Sequence, residues 1–164
     1  MQISATISYP SGTTPAQVYE LATDADFRGE VCEATHALDY DVSVDAHDDT
    51  AKVVVSRTMP ADVPDFMKKM IGETVDVVQT EDWGAPDADG QRTADVVVQI
   101  KGQPAVMNGT AAIVASGGEV VMQIEGDLKV AIPIFGKKVE PEIAKGIYAA
   151  IKTEERQAAQ HLPS

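Results

Sequence analysis

The stretch KKVEPEIAKGIYAAIKTEERQAAQ, residues 137 to 160, decides how the rest of the chain must be arranged. Val139, Ile143, Ile147, Ala150, Ile151 and Ala158 recur on one helical stripe, while Lys145, Lys152, Glu155 and Arg156 occupy the other face. A helix from Lys137 to Gln160 spans about 36 Å at 1.5 Å per residue, long enough to cross a whole sheet. Pro141 then lies in its first turn, where a missing N–H costs little. An apolar stripe of this length needs a surface to cover, and the upstream sequence supplies strands.

Ile3, Ala5, Ile7 and Tyr9 alternate with polar residues as a half-buried strand requires, and Pro10-Ser11-Gly12 ends it. Thr14, Pro15 and Gln17 mark a helix start: a Thr cap, a proline at the first helical position and a glutamine three residues after the cap. Asp24 caps a second short helix carrying Phe27 and Val31. Leu38 to Asp45 and Lys52 to Met59 read as a hairpin, and Pro60 and Pro64 bracket a loop before the two-turn segment with Phe66, Met67, Met70 and Ile71. Thr74–Trp83, Arg92–Lys101, Pro104–Ala115 and Glu119–Ala131 read as four more strands, the last two joined at Ser116-Gly117-Gly118. Strands two to seven can each pair antiparallel with the one before.

One strand, two short helices, a six-strand meander and a long terminal helix is the order of the helix-grip fold. The chain resembles the START and polyketide-cyclase superfamily, also called SRPBCC, which includes the birch-pollen-allergen-like proteins. It is more closely similar to a bacterial family known as domain of unknown function 2505. That resemblance rests on GDLKVAIPIFGKKVE, residues 126 to 140, and the amphipathic helix that follows to Glu155. It implies an α+β fold in which a curved, seven-stranded antiparallel sheet wraps the C-terminal helix, with a cavity between them for apolar or amphipathic ligands. It implies no particular reaction and carries over no catalytic residue. No internal repeat or linker interrupts residues 1 to 164, so one START-like ligand-binding domain is expected.

Composition narrows the partners. The 13 basic and 26 acidic residues among 164 leave a net charge of −13, which repels phosphate backbones and anionic bilayers, so nucleic acid is not expected. Residues 1 to 100 hold 19 acids and 6 bases, whereas residues 101 to 164 hold 7 of each. Cys32 is the one cysteine, so no internal disulfide forms. No apolar run approaches 18 residues and the first residues lack the pattern of a secretory signal; a cytoplasmic protein without integral membrane association, monomeric or a weak homodimer, is the expectation.

Nucleotide loops and the G-x-S-x-G nucleophile turn are absent. The Cys32/His36 spacing and the turn acids Asp45, Asp48 and Asp49 do not make up a metal-ligand set, so neither metal nor cofactor is expected. The expected ligand site is instead the cavity wall: Tyr40, Met59, Phe66, Met67, Met70, Trp83, Met107, Met122 and Phe135, with Ile143, Gly146 and Ile147 from the long helix. The alternative is that these large side chains fill a core. Gly146 reads either as close helix-to-sheet packing or as space for a ligand. Arg57, in phase with Val53 and Val55, is the candidate for holding a ligand head group; the alternative is that Val54, Ser56 and Thr58 mark the other phase and Arg57 is exposed at the strand end. Gly136, Lys137 and Lys138 form a candidate anion site at the helix start, the alternative being that both lysines face water or pair with Glu140 and Glu142.

Three function classes follow. The first is non-enzymatic binding or carriage of a small hydrophobic, lipid-like or amphipathic molecule. The second is a cyclase- or hydratase-type enzyme acting on an apolar substrate in the same cavity, which requires polar groups to converge there; Asp95, Glu125 and Tyr40 are the acid/base residues considered for it. The third, an assembly protein, requires a fully packed cavity and an exposed apolar patch.

Overall fold

Residues 1 to 163 are described by a computed structural model. The elements run β1 (Gln2–Ser8), α1 (Pro15–Ala22), α2 (Ala25–Ala34), β2 (Asp39–His47), β3 (Thr50–Pro60), α3 (Asp65–Ile71), β4 (Thr74–Trp83), β5 (Arg92–Ile100), β6 (Ala105–Ser116), β7 (Glu119–Val130) and α4 (Gly136–His161). The strands form one antiparallel sheet in the order β1-β7-β6-β5-β4-β3-β2. The meander therefore runs as the turn signals require, and the first strand joins the last, with Ile3 opposite Gly126 and Ile7 opposite Met122. This curved sheet around a long C-terminal helix is the helix grip.

The local chemistry of the two short helices is as the sequence indicates. Thr14 Oγ1 accepts the Gln17 N–H at 3.2 Å while Gln17 Oε1 accepts the Thr14 N–H at 2.9 Å, a reciprocal cap that satisfies two otherwise free donors. Asp24 accepts the N–H groups of Asp26 and Phe27 at the start of α2. The sheet buries one set of alternating side chains against the helices; Ile3, Ile7, Val53 and Ile113 have no exposed surface.

A second, smaller apolar cluster joins α3 to the start of α4: Met67, Ala105, Val130 and Val139 are buried together. Gly136 begins α4 because a Cβ there would lie 2.2 Å from the carbonyl oxygen of Val130; only glycine permits that approach. The helix thus starts one residue earlier than the apolar stripe indicates, and Pro141 sits inside it rather than in the first turn. Its absent N–H leaves the carbonyl of Lys137 without the usual helical donor.

Candidate functional site

Between the concave face of the sheet and helices α2 and α4 lies a cavity of about 100 Å³. The sheet contributes apolar residues, among them Val55, Val96, Met107, Ala111 and Met122, and α4 contributes Ile147, Ala150 and Ile151. One side is polar. Arg28 and Cys32 from α2, Arg57 from β3, Gln79 and Glu81 from β4 and Glu154 from α4 all face the same space.

Arg28 and Glu81 close on each other. Arg28 Nη1 donates to Glu81 Oε1 at 2.9 Å and Nη2 donates to Oε2 at 2.6 Å, a two-pronged pair with both side chains only 6% exposed. Trp83 Nε1 donates to Glu81 Oε1 at 3.0 Å and Gln79 Nε2 donates to Oε2 at 2.5 Å. Arg28 Nη1 also donates to the carbonyl of Ala22 at 3.1 Å, placing a cation at the negative end of the α1 dipole. Burial opposes charge on Glu81, yet the Arg28 guanidinium and the three side-chain donors hold its carboxyl below the usual value. Burial likewise opposes charge on Arg28, and Glu81 beside it more than compensates.

The other two charges are loosely held. Arg57 continues the inward phase of Val53 and Val55, half-buried, and its one side-chain hydrogen bond among the described residues is Nη2 donating to Gln79 Oε1 at 3.4 Å. Burial pushes its pKa down, with Arg28 adding to the effect and Cys32, Glu154 and Glu81 opposing it. Glu154 forms no hydrogen bond and no ion pair within 4.0 Å among the described residues. Burial pushes its carboxyl up, Glu81 adds to that, and Arg28 and Arg57 act in the other direction. Cys32 is shifted up by burial against the pull of Arg57 and Arg28, so it is a neutral thiol at neutral pH.

Of the residues singled out from the sequence, Arg57, Met107, Met122 and Ile147 line this cavity. Trp83 is buried at its polar end, where it binds Glu81 and meets Tyr19 edge-on at 6.0 Å. Met67 and Ile143 belong to the cluster under α3, and Met59 lies farther along β3, opposite Val75. Tyr40 is on the outermost strand, its ring against Gly29 and its hydroxyl donating to Glu33 at 2.6 Å. Phe66, Met70 and Phe135 are exposed. Gly146 is exposed too, and a Cβ there would touch nothing, so neither close packing nor cavity space accounts for it. Asp95 and Glu125 point to solvent.

At the start of α4, Lys137 and Lys138 are exposed, but the amides of Gly136, Lys138 and Val139 already donate to Ile132 and Phe135 carbonyls. Glu140 is held by the Val130 N–H and the chain's amino terminus, and Glu142 by Lys145, rather than by these lysines.

Sequence reasoning missed Arg28, Gln79, Glu81 and Glu154, and each had a signal. Glu154 lies three residues after Ile151 and four before Ala158, on the apolar stripe of α4. Gln79 and Glu81 share the phase of Trp83, and Arg28 that of Val31, Cys32 and Thr35. No group of three or more His, Cys, Asp or Glu side chains suited to a metal ion occurs among the described residues, and no helix among them is long and apolar enough to cross a membrane.

Three solved structures share this architecture. The protein TTHA0849 from Thermus thermophilus is 16% identical, with 99% of this chain and 100% of that one covered at a TM-score of 0.63. A STAR-related lipid transfer protein from Xanthomonas axonopodis is 15% identical over 94% of this chain and 85% of that one, at 0.56. Norcoclaurine synthase from Thalictrum flavum, in complex with dopamine and hydroxybenzaldehyde, is 13% identical over 100% and 89%, also at 0.56. At these identities the likeness is one of fold. No curated protein matches the chain. A family model described as "Protein of unknown function (DUF2505)" matches residues 4–162, so the chain belongs to the DUF2505 family and carries the helix-grip fold of START-like proteins.

Proposed function

We propose that the protein binds a small amphipathic molecule, its apolar part between the sheet and α4 and its polar end at Arg57. The observation that carries this reading is a largely apolar cavity in which one half-buried guanidinium has a single long hydrogen bond among the described residues, leaving most of its five donors for a ligand. Likeness in fold to a lipid transfer protein supports the class of ligand. Size limits it: about 100 Å³ is less than the roughly 150 Å³ that takes up benzene, and well below the roughly 300–1,000 Å³ of drug-sized sites. A short acid fits the cavity as it stands, and an aromatic ring or a lipid requires α4 and the sheet to part. The role is that of a carrier in a single domain, with the cytoplasm as its proposed compartment and a monomer or weak homodimer as its state.

Native mass spectrometry of freshly purified protein tests the reading, with Ala111→Leu as the control that fills the cavity. A bound small molecule is expected on the wild type and absent from the variant. Equal occupancy in both places the ligand elsewhere.

A cyclase- or hydratase-type enzyme is the second reading, and one observation favours it: ionisable groups do converge, with Arg28, Arg57, Glu81 and Glu154 around one space. Against it, Arg28 and Glu81 are committed to each other and Cys32 is a neutral thiol, so no nucleophile stands beside a free base. Likeness in fold to norcoclaurine synthase leaves this reading a precedent in architecture only.

A further inference from the structure

The four charges around the cavity are two arginines and two glutamates, and they divide unequally. Arg28 and Glu81 are consumed by their mutual pair and by Gln79 and Trp83. Arg57 and Glu154 are the remainder, one from β3 and one from α4, with the cavity between them and no contact within 4.0 Å joining them. With Glu154 ionised the four charges cancel. A carboxylate placed on Arg57 would leave Glu154, half-buried on α4, as an excess negative charge beside apolar side chains, and an unpaired carboxylate in such a place is driven toward its neutral form.

We propose that the cavity takes up a small acid as a net-neutral unit, the acid's carboxylate on Arg57 and an accompanying proton on Glu154. This rests on the binding function proposed above and adds the ligand's charge type and its coupling to pH. The groups facing Glu154 are Arg28 and Cys32 from α2, Arg57 from β3, Glu81 from β4 and Tyr9 after β1. Of these only the two arginines favour its ionised form, and the bound acid screens one of them. Burial has already moved Glu154 toward its protonated state, so the site is biased toward the change before the ligand arrives. Coupling is reciprocal: if the anion promotes protonation, protonation tightens the anion, and affinity rises as pH falls.

The probes are butyrate and hexanoate, each paired with its primary amide, with dissociation constants measured by calorimetry from about pH 6 to about pH 8.5, where the free acids are ionised. For the acids, affinity should weaken with rising pH by up to about tenfold per unit, the limit for one linked proton. The amides should show no such slope. Glu154→Gln should abolish the slope while the acids still bind, and Arg57→Gln should weaken the acids at least about tenfold yet change the amides less than about threefold. A slope that persists in Glu154→Gln places the proton elsewhere and overturns the proposal, as does equal pH dependence for acids and amides. If neither acids nor amides bind the folded wild type, the binding function falls, and this inference with it.

Discussion

Glu81 shows how much one buried carboxylate can hold. It ties α2 to β4 through Arg28, orients Trp83 through its indole N–H and fixes Gln79, which in turn holds Arg57. Replacing it with glutamine leaves Arg28 charged and buried without a counter-charge. The expected loss is about 3–5 kcal/mol of unfolding free energy, measured by urea denaturation at pH 7. A loss under about 1 kcal/mol would mean that Arg28 finds water or Glu154 instead. Glu81's folded pKa lies below its unfolded value of about 4.3, so its contribution is full above that pH and is lost as pH falls through the folded value. The wild type should therefore lose stability on acidification below about pH 4.3 more steeply than Glu81→Gln does.

At the scale of an element, α4 carries a residue that its packing does not require. Gly146 is in the helix interior, exposed, with open space where a Cβ would go. A glycine there gives up backbone entropy with no contact in return, so Gly146→Ala should stabilise the protein by about 0.5–1 kcal/mol, read as a higher urea midpoint at unchanged slope. A neutral or destabilising result would show that the helix needs flexibility at this point. Met67 tests the other end of α4: it has no exposed surface, and Met67→Ala should cost about 2–5 kcal/mol by opening a void among Ala105, Val130 and Val139. If α3 were an independent lid, that substitution would leave global unfolding almost unchanged.

At the scale of the molecule, the dominant force beyond the core is charge. A net −13 with 19 acids in the first 100 residues crowds like charges onto the folded surface, including Asp39, Asp41 and Asp45 on the outermost strand. Aspartates on that edge also oppose pairing with another sheet. Screening should relieve the repulsion: the Debye length falls from about 30 Å at 0.01 M salt to about 8 Å at 0.15 M. Differential scanning calorimetry in sodium chloride over that range should show Tm rising, by roughly 2–4 °C for each 1 kcal/mol recovered. A falling Tm would show that specific ion pairs outweigh the net repulsion.

Periodicity and punctuation by themselves determined the elements and their order, while the wrapping of the sheet around the long helix was what the family resemblance implied. Alternation of period two, the Thr14–Gln17 cap, the glycine turn at 117–118 and the stripe from Val139 to Ala158 are local signals, and each element they mark is present in the fold. They left Arg57 open between the face of Val53 and Val55 and that of Val54, Ser56 and Thr58, since both phases of the strand carry apolar residues. What the sequence could not decide was which large side chains meet. Phe66, Met70 and Phe135 have the composition of a cavity wall, yet they lie on connections whose packing depends on distant strands, and they remain exposed. The polar end of the cavity was the tertiary structure's to decide. Arg28 and Glu81 are 53 residues apart and Glu154 is 73 beyond Glu81, and no local rule pairs charges across such distances. Only closure of α2 and α4 over the sheet removes Arg28 and Glu81 from water as a fixed pair and leaves Arg57 and Glu154, half-buried, facing the cavity.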